Sequence, residues 1–249
     1  MFRPATVTGR RACPIRRPES PHAINEAIER DATSLLLIRS IVAATPTAPA
    51  FLDPETLPTE LRTLLEQVQA RIGREVWLID VTTDLEVLST LAYSPGPRGR
   101  YLRGYGASLS RRYSVYRALT ELLEVQLTDR KVAERLECIE LLKDQPVLQA
   151  CAEVDLRPLA ASARLVPYVE TAAPSSPAEH LSQLLSQLAN RGFTVYLNEA
   201  HRLSNGITAV HVHIPGLERF HMIVDGPAAV VPGRRGIAAV DVTAPACPV

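Results

Sequence analysis

"EVWLIDVTTDLEVLSTLAYS" occupies residues 75–94, and its reading decides the fold class. Apolar and β-branched residues fill both flanks of residues 82–85, which predicts strand, turn, strand. Before it, "PTELRTLLEQVQARIG" (58–73) spaces its apolar residues as a helix does and ends in Gly. The same order returns further on. "SSPAEHLSQLLSQLANRG" (175–192) has Ser176 as N-cap, Pro177 in the first turn and Gly192 as the stop. "FTVYLNEA" (193–200), a turn at "LSNG" (203–206), "ITAVHVHIPG" (207–216) and "RFHMIVDG" (219–226) then read as strands. Repeated helix–strand–strand units predict one mixed α/β domain, its helices packed on a mixed sheet.

The segments around these units complete the outline. "MFRPATVTGRRACPIRRPESP" (1–21) is rich in Arg and Pro and has no apolar period, so it is expected to be irregular. Order begins at His22, where Ile24, Ala27, Ile28 and Leu35 form a helical stripe opposite Glu26, Glu29, Arg30 and Thr33. "TAPAFLDPETLP" (47–58) and "SPGPRGRYLRGYGASLS" (94–110) read as loops, the second Gly-rich. Residues 114–142 carry the longest helical pattern, with a break near 128–129, and 145–163 a short helix and connection. The end, "VVPGRRGIAAVDVTAPACPV" (230–249), reads as a Pro/Gly-rich tail. The expected division is an irregular segment at 1–21, a domain at 22–240 and a Pro-containing tail at 241–249.

Composition narrows the function. Of 249 residues, 46% are apolar and 22% charged, an ordinary globular balance that argues against disorder. The 27 basic and 27 acidic residues cancel, so nothing points to nucleic acid or a membrane surface as partner. No apolar run approaches the ~20 residues of a bilayer span, and no signal-peptide segment opens the chain. Cys13, Cys138, Cys151 and Cys247 lie far apart without CxxC spacing, which fits a reducing compartment. The chain reads as soluble and cytoplasmic.

Glu26 and Glu29 stand three apart on one helix face, where two carboxylates can point the same way. Hard oxygen ligands at that spacing suit Mg2+, and equally a solvated surface. Arg117, with Glu121 and Glu124 on the same helix face, can form an ordinary surface pair or reach a phosphate. Gly104 and Gly106 either cradle a phosphate with their backbone N–H groups or belong to a plain connection. His211 and His213 share a strand face near His201 and His221, an arrangement commoner on a sheet surface than at a metal. No GxSxG turn is present to anchor a Ser/His/Asp site.

Four segments in order resemble the YcaO family. They are "HAINEAIERDATSLLLIR" with its E-x-x-E-R-D motif (Glu26, Glu29, Arg30, Asp31) and "EVWLIDVTTDLEVLSTLA" with an Asp-x-Thr. "GYGASLSRRYSVYRALTELLEVQ" with R-A-L-T-E follows, then "HIPGLERF" with "VVPGRRG", so that the likeness covers about residues 20 to 236. The resemblance implies ATP- and Mg2+-dependent activation of peptide backbone amides, giving azoline rings (thiazole or oxazole) by cyclodehydration, or thioamides. Its substrates would be ribosomally made precursor peptides, with a leader-binding partner protein or a homodimer completing the assembly.

By the same resemblance Glu29 is a Mg2+ ligand and Glu26 its acidic neighbour at the metal and nucleotide. Arg30 and Arg117 are phosphate contacts. The family's earlier Ser-x-x-x-Glu-x-x-Glu helix has no counterpart, and "ACPIRRPES" (12–20) stands where a Gln-x-x-Asn-x-x-x-Glu stretch is expected. The chain is therefore read as roughly the C-terminal three-fifths of such a domain. That leaves two expectations, a YcaO-type enzyme inactive alone because the N-terminal part of its ATP site is missing, or a non-catalytic peptide-binding or partner subunit of an intact YcaO enzyme.

Overall fold

The computed structural model describes residues 3–5, 20–98, 100–128, 132–205, 208–224 and 230–240. Five strands form one mixed sheet in the order β5-β4-β3-β2-β6. These are β2 (Ala50–Leu52), β3 (Trp77–Asp80), β4 (Leu88–Ser94), β5 (Leu102–Ser108) and β6 (Arg164–Val166). β2 runs parallel to β6, and every other neighbour is antiparallel. A second sheet, β1-β7-β8, joins β1 (Arg3–Ala5), β7 (Val195–Arg202) and β8 (Thr208–His213). The two strand–turn–strand units thus go to different sheets, while the mixed α/β class holds.

Period-2 alternation sets the layers. On β3, Trp77 and Ile79 face one core while Leu78 faces the other. On the Leu78 side lie α2 (Thr59–Ile72) and α3 (Arg111–Thr128), which contribute Leu61, Leu65, Val68, Val115, Leu119 and Leu122. The opposite side is covered by the end of α1 (Ser20–Leu37), by α4 (Val132–Glu140) and by α5 (Pro146–Glu153). The short α6 (Arg157–Ala160) follows α5. A third cluster, with Ile24, Ile28, Val87, Leu184, Leu188 and Val195, joins α1 and α7 (Pro177–Asn190) to both sheets. Ser176 caps α7 by accepting from the Glu179 amide, as its position predicts.

Four expectations are corrected. The Gly-rich "loop" is largely strand β5, paired with β4 from Ser94↔Leu102 to Leu88↔Ser108. Its glycines serve packing, because a Cβ on Gly104 would stand 2.2 Å from the Ala118 carbonyl oxygen and one on Gly106 2.2 Å from that of Ser114. Helix α3 can lie on β5 only because those side chains are missing. "RFHMIVDG" contains a 3-10 turn, Phe220–Val224, that buries Phe220, Ile223 and Val224 at helical spacing. The tail contains α8 (Arg234–Val240), whose first turn is held by Glu218: its carboxylate accepts from the amides of Gly233 (2.8 Å) and Gly236 (2.7 Å). Short strands β1 and β2 lie within stretches read as irregular or connecting, and β6 follows the 145–163 segment.

Among the described residues no helix is long and apolar enough to cross a membrane. Cys151 is buried, and burial pushes its thiol up to about 12, which makes it a core residue. Cys13, Cys247, the break near 128–129 and the 241–249 tail fall wholly or partly outside the described residues.

Candidate functional site

Strand β5 is an edge of the five-stranded sheet, and an edge presents unpaired N–H groups. Two carboxylates meet them. The Ala107 amide donates to Oε1 of Glu29 at 2.7 Å, and the Tyr105 amide donates to Glu121. Glu29 arrives from α1 on one side of the edge and Glu121 from α3 on the other. Between them lies a cavity of about 470 Å³. Glu26, Glu29, Arg30 and Arg117 all line it, so the four site residues expected from the sequence are brought together.

A backbone N–H at a strand edge asks only for an acceptor, and a neutral amide would serve. What the two carboxylates add is ionisable charge in a place that resists it. Burial, the largest influence, pushes Glu29 from 4.5 up to about 8. The Ala107 hydrogen bond and Arg117 pull the other way, while Glu121 and Glu26 push further up. Glu121 is also raised, chiefly by burial, although Tyr105 and Arg117 act against the shift. The Arg117 guanidinium stands 3.5 Å from Glu121, and both are three-quarters buried. At the rim, Arg30 bonds Glu26 at 2.5 Å, with both side chains about half exposed. That pair contributes little to stability, ~0.5 kcal/mol.

This donor set fits a hard divalent cation beside an anion. Mg2+ takes one or two carboxylates and keeps the rest of its shell for water and phosphate oxygens. Among the described residues no three His, Cys, Asp or Glu side chains form a complete metal cluster. Arg103 from β5 and Arg135 from α4 join Arg30 and Arg117 around the cavity, a set suited to polyphosphate oxygens. His211 and His213 lie on the exposed face of β8, away from this cavity.

The remaining motif residue, Asp31, turns away from the cavity. It is fully buried and bonded by Arg235 at 3.0 and 3.1 Å and by the Glu218 amide at 2.9 Å. Several cavity residues have no signal in the motif spacing, namely His22, Arg103, Tyr105, Arg135 and His221. Glu121 had one: it follows Arg117 by four, and so shares its helix face.

A family model described as YcaO cyclodehydratase, ATP- and Mg2+-binding, matches residues 21–218. The chain belongs to the YcaO family. Three of the four motif segments lie within the matched span, as does the Pro-Gly-Leu-Glu turn of the fourth. The family's cofactors are ATP and Mg2+.

Among solved structures the YcaO chain is similar to the heterocyclase TruD, with TM-score 0.57, 19% identity and 82% of this chain covered. A heterocyclase in complex with substrate and cofactor gives TM-score 0.57 and 20% identity over 79% of this chain. A looser likeness, TM-score 0.46 at 13% identity, covers 77% of this chain and 49% of a chain in the E. coli microcin synthetase McbBCD complex. The chain spans 28% and 26% of the first two, and at these identities the likeness shows the fold. Comparison with curated proteins gives no match.

Proposed function

We propose that this YcaO chain binds ATP and Mg2+ in the cavity over the β5 edge, and serves a cytoplasmic pathway that activates backbone amides of ribosomally made precursor peptides. The products would be azoline rings or thioamides. Glu29 and Glu121 would hold the metal, with Glu26 beside it, while Arg117 and Arg30 would contact the phosphates. Bound ATP and Mg2+ supply a transferable phosphoryl group, which makes an amide oxygen a leaving group. The protein's own residues position and neutralise charge. Arg117, fixed against Glu121, presents a planar fork to phosphate oxygens, and the sheet edge pins both carboxylates by their backbone hydrogen bonds.

One observation carries this reading. Glu29 is a partly buried carboxylate beside Glu121 and Glu26, and the Ala107 backbone amide donates to it. Such a group gains from a further cation beside it. Calorimetric titration with ATP and Mg2+ tests it. Wild type is expected to bind, and Glu29→Gln and Arg117→Ala to lose at least ~100-fold in affinity or ATP turnover. Unchanged binding in both variants would refute the assignment.

A second reading keeps the fold and the cavity without the chemistry. In it the chain is a non-catalytic subunit that holds peptide for an intact YcaO partner or in a homodimer. Such a chain would bind peptide without hydrolysing ATP.

A further inference from the structure

Four guanidinium groups border the cavity, and they arrive from four elements: Arg30 from α1, Arg103 from β5, Arg117 from α3 and Arg135 from α4. Three carboxylates oppose them, Glu26, Glu29 and Glu121. Glu124 acts on Glu121 but does not line the space. With every lining carboxylate ionised, the lining still carries one more positive charge than negative, and protonation of His22 or His221 would only add to it. Such a lining favours an anion over a cation.

The carboxylates are also engaged already. Glu26 pairs with Arg30 at 2.5 Å and Glu121 with Arg117 at 3.5 Å, while Glu29 and Glu121 each accept a backbone amide of β5. A bare Mg2+ would exchange its water for oxygens that have donors, with the positive Arg117 close beside one of them. Mg2+ dehydrates reluctantly and is ordinarily held by one or two carboxylates together with phosphate oxygens. Among the described residues no three His, Cys, Asp or Glu side chains are grouped to hold it alone. Phosphate oxygens supply both missing things, further ligands and negative charge next to the guanidinium groups.

A polyanion needs no such help. A guanidinium presents a planar fork of donors to phosphate oxygens and keeps its charge at any working pH. Four of them around about 470 Å³ suit a chain of phosphates better than a single ion.

We propose that the cavity takes polyphosphate first and metal second: a linear polyphosphate group binds with no metal present, held by Arg30, Arg103, Arg117 and Arg135, and the bound phosphates complete the place for Mg2+. Arg103 and Arg135 are then anion-holding residues, added to Arg30 and Arg117. Anion and metal raise each other's affinity by the same factor. Nucleotide in excess over Mg2+ competes with the metal complex for the cavity. The order of entry rests on this cavity being the ATP and Mg2+ site.

The test uses the full chain, stripped of metal with EDTA, in calorimetric titrations with sodium tripolyphosphate, with MgCl2 alone, and with ATP in the presence and absence of Mg2+. Tripolyphosphate alone should bind saturably, and MgCl2 alone should give no saturable heat up to ~10 mM. Arg103→Gln and Arg135→Gln should each weaken metal-free tripolyphosphate at least tenfold, with melting curves showing that both variants fold. If ATP with Mg2+ binds but tripolyphosphate without metal does not, the order of entry is overturned and the nucleotide reading stands. Saturable binding of MgCl2 alone, or tripolyphosphate binding that both arginine variants leave unchanged, would also overturn it. Metal-free binding as described, with ATP binding no better when Mg2+ is present, would sustain the anion as first occupant and refute the metal reading of Glu29 and Glu121.

Discussion

Glu29 and Asp31 stand two residues apart on α1, Asp31 fully buried and Glu29 partly so, and the chain treats them in opposite ways. Asp31 is completed. Arg235 grips it through two nitrogens, the Glu218 amide adds a third donor, and Arg235 in turn bonds Asp84 and packs over Phe193. Burial still pushes Asp31 up, with Arg235 opposing. Burial also works against the Arg235 charge, but Asp84 and Asp31 outweigh it and hold the guanidinium above its usual range. Glu29 has one backbone donor and two carboxylate neighbours, Glu121 and Glu26, and the guanidinium near it, Arg117, is paired with Glu121. The first arrangement locks α8 to α1. The second leaves a carboxyl group at the cavity, where we propose the metal binds. Within one motif, the partner a charge is given separates structure from function.

The largest effect should come from breaking the lock. Arg235→Ala strands Asp31 without a counter-ion and should lower stability by about 3–5 kcal/mol, read from the urea midpoint. A loss below ~1 kcal/mol would mean that Asp31 is as incomplete as Glu29.

Glu29→Gln sharpens the contrast from the other side. The amide keeps the Ala107 hydrogen bond, so this variant should fold well while losing nucleotide binding. Its stability should also exceed wild type as pH rises. In metal-free wild type the native state holds the Glu29 proton up to about pH 8, whereas the unfolded chain releases it near 4.5. The native state therefore binds more protons in that window, and stability falls as pH rises through it. Below the window the contribution is fully present. Glu29→Gln should remove this slope, a gain on the order of 4 kcal/mol at pH 8. Melting curves from pH 4 to 9 would show parallel slopes if Glu29 did not titrate there.

Two smaller changes probe the frame behind the pair. Gly106→Ala forces a methyl against the Ser114 carbonyl and the Arg117 Cβ, and should cost about 1–3 kcal/mol in stability. Because it displaces Arg117, it should weaken nucleotide binding as well. Ser176→Ala removes the α7 cap, which bonds neither carboxylate, and should cost ~1 kcal/mol by the same urea measurement.

The legible parts of the sequence were those set by local spacing. α2 with β3 and β4, and α7 with β7 and β8, follow from 3.6- and 2-residue periods and their stop signals. That Glu26, Glu29, Arg30 and Arg117 meet at one cavity was legible through their motif context. Elements governed by distant partners were not. β5 contains two glycines because α3 lies on it, and no local rule reports a helix ten residues downstream. α8 is short and depends on Glu218, fifteen or more residues away. The role of Glu121 depended on its meeting the edge of β5. The roles of Asp31 and Glu29 could not be told apart without Arg235, two hundred residues on.

The central claim is that Glu29 is kept protonated until a metal–nucleotide ligand arrives. Calorimetric titration of ATP and Mg2+ at pH 7, repeated in buffers of different ionisation enthalpy, counts the protons released on binding. Close to one proton should leave per ligand bound in wild type, and none beyond background in Glu29→Gln. Tight binding with no proton released, or with a release that Glu29→Gln leaves unchanged, would contradict the account.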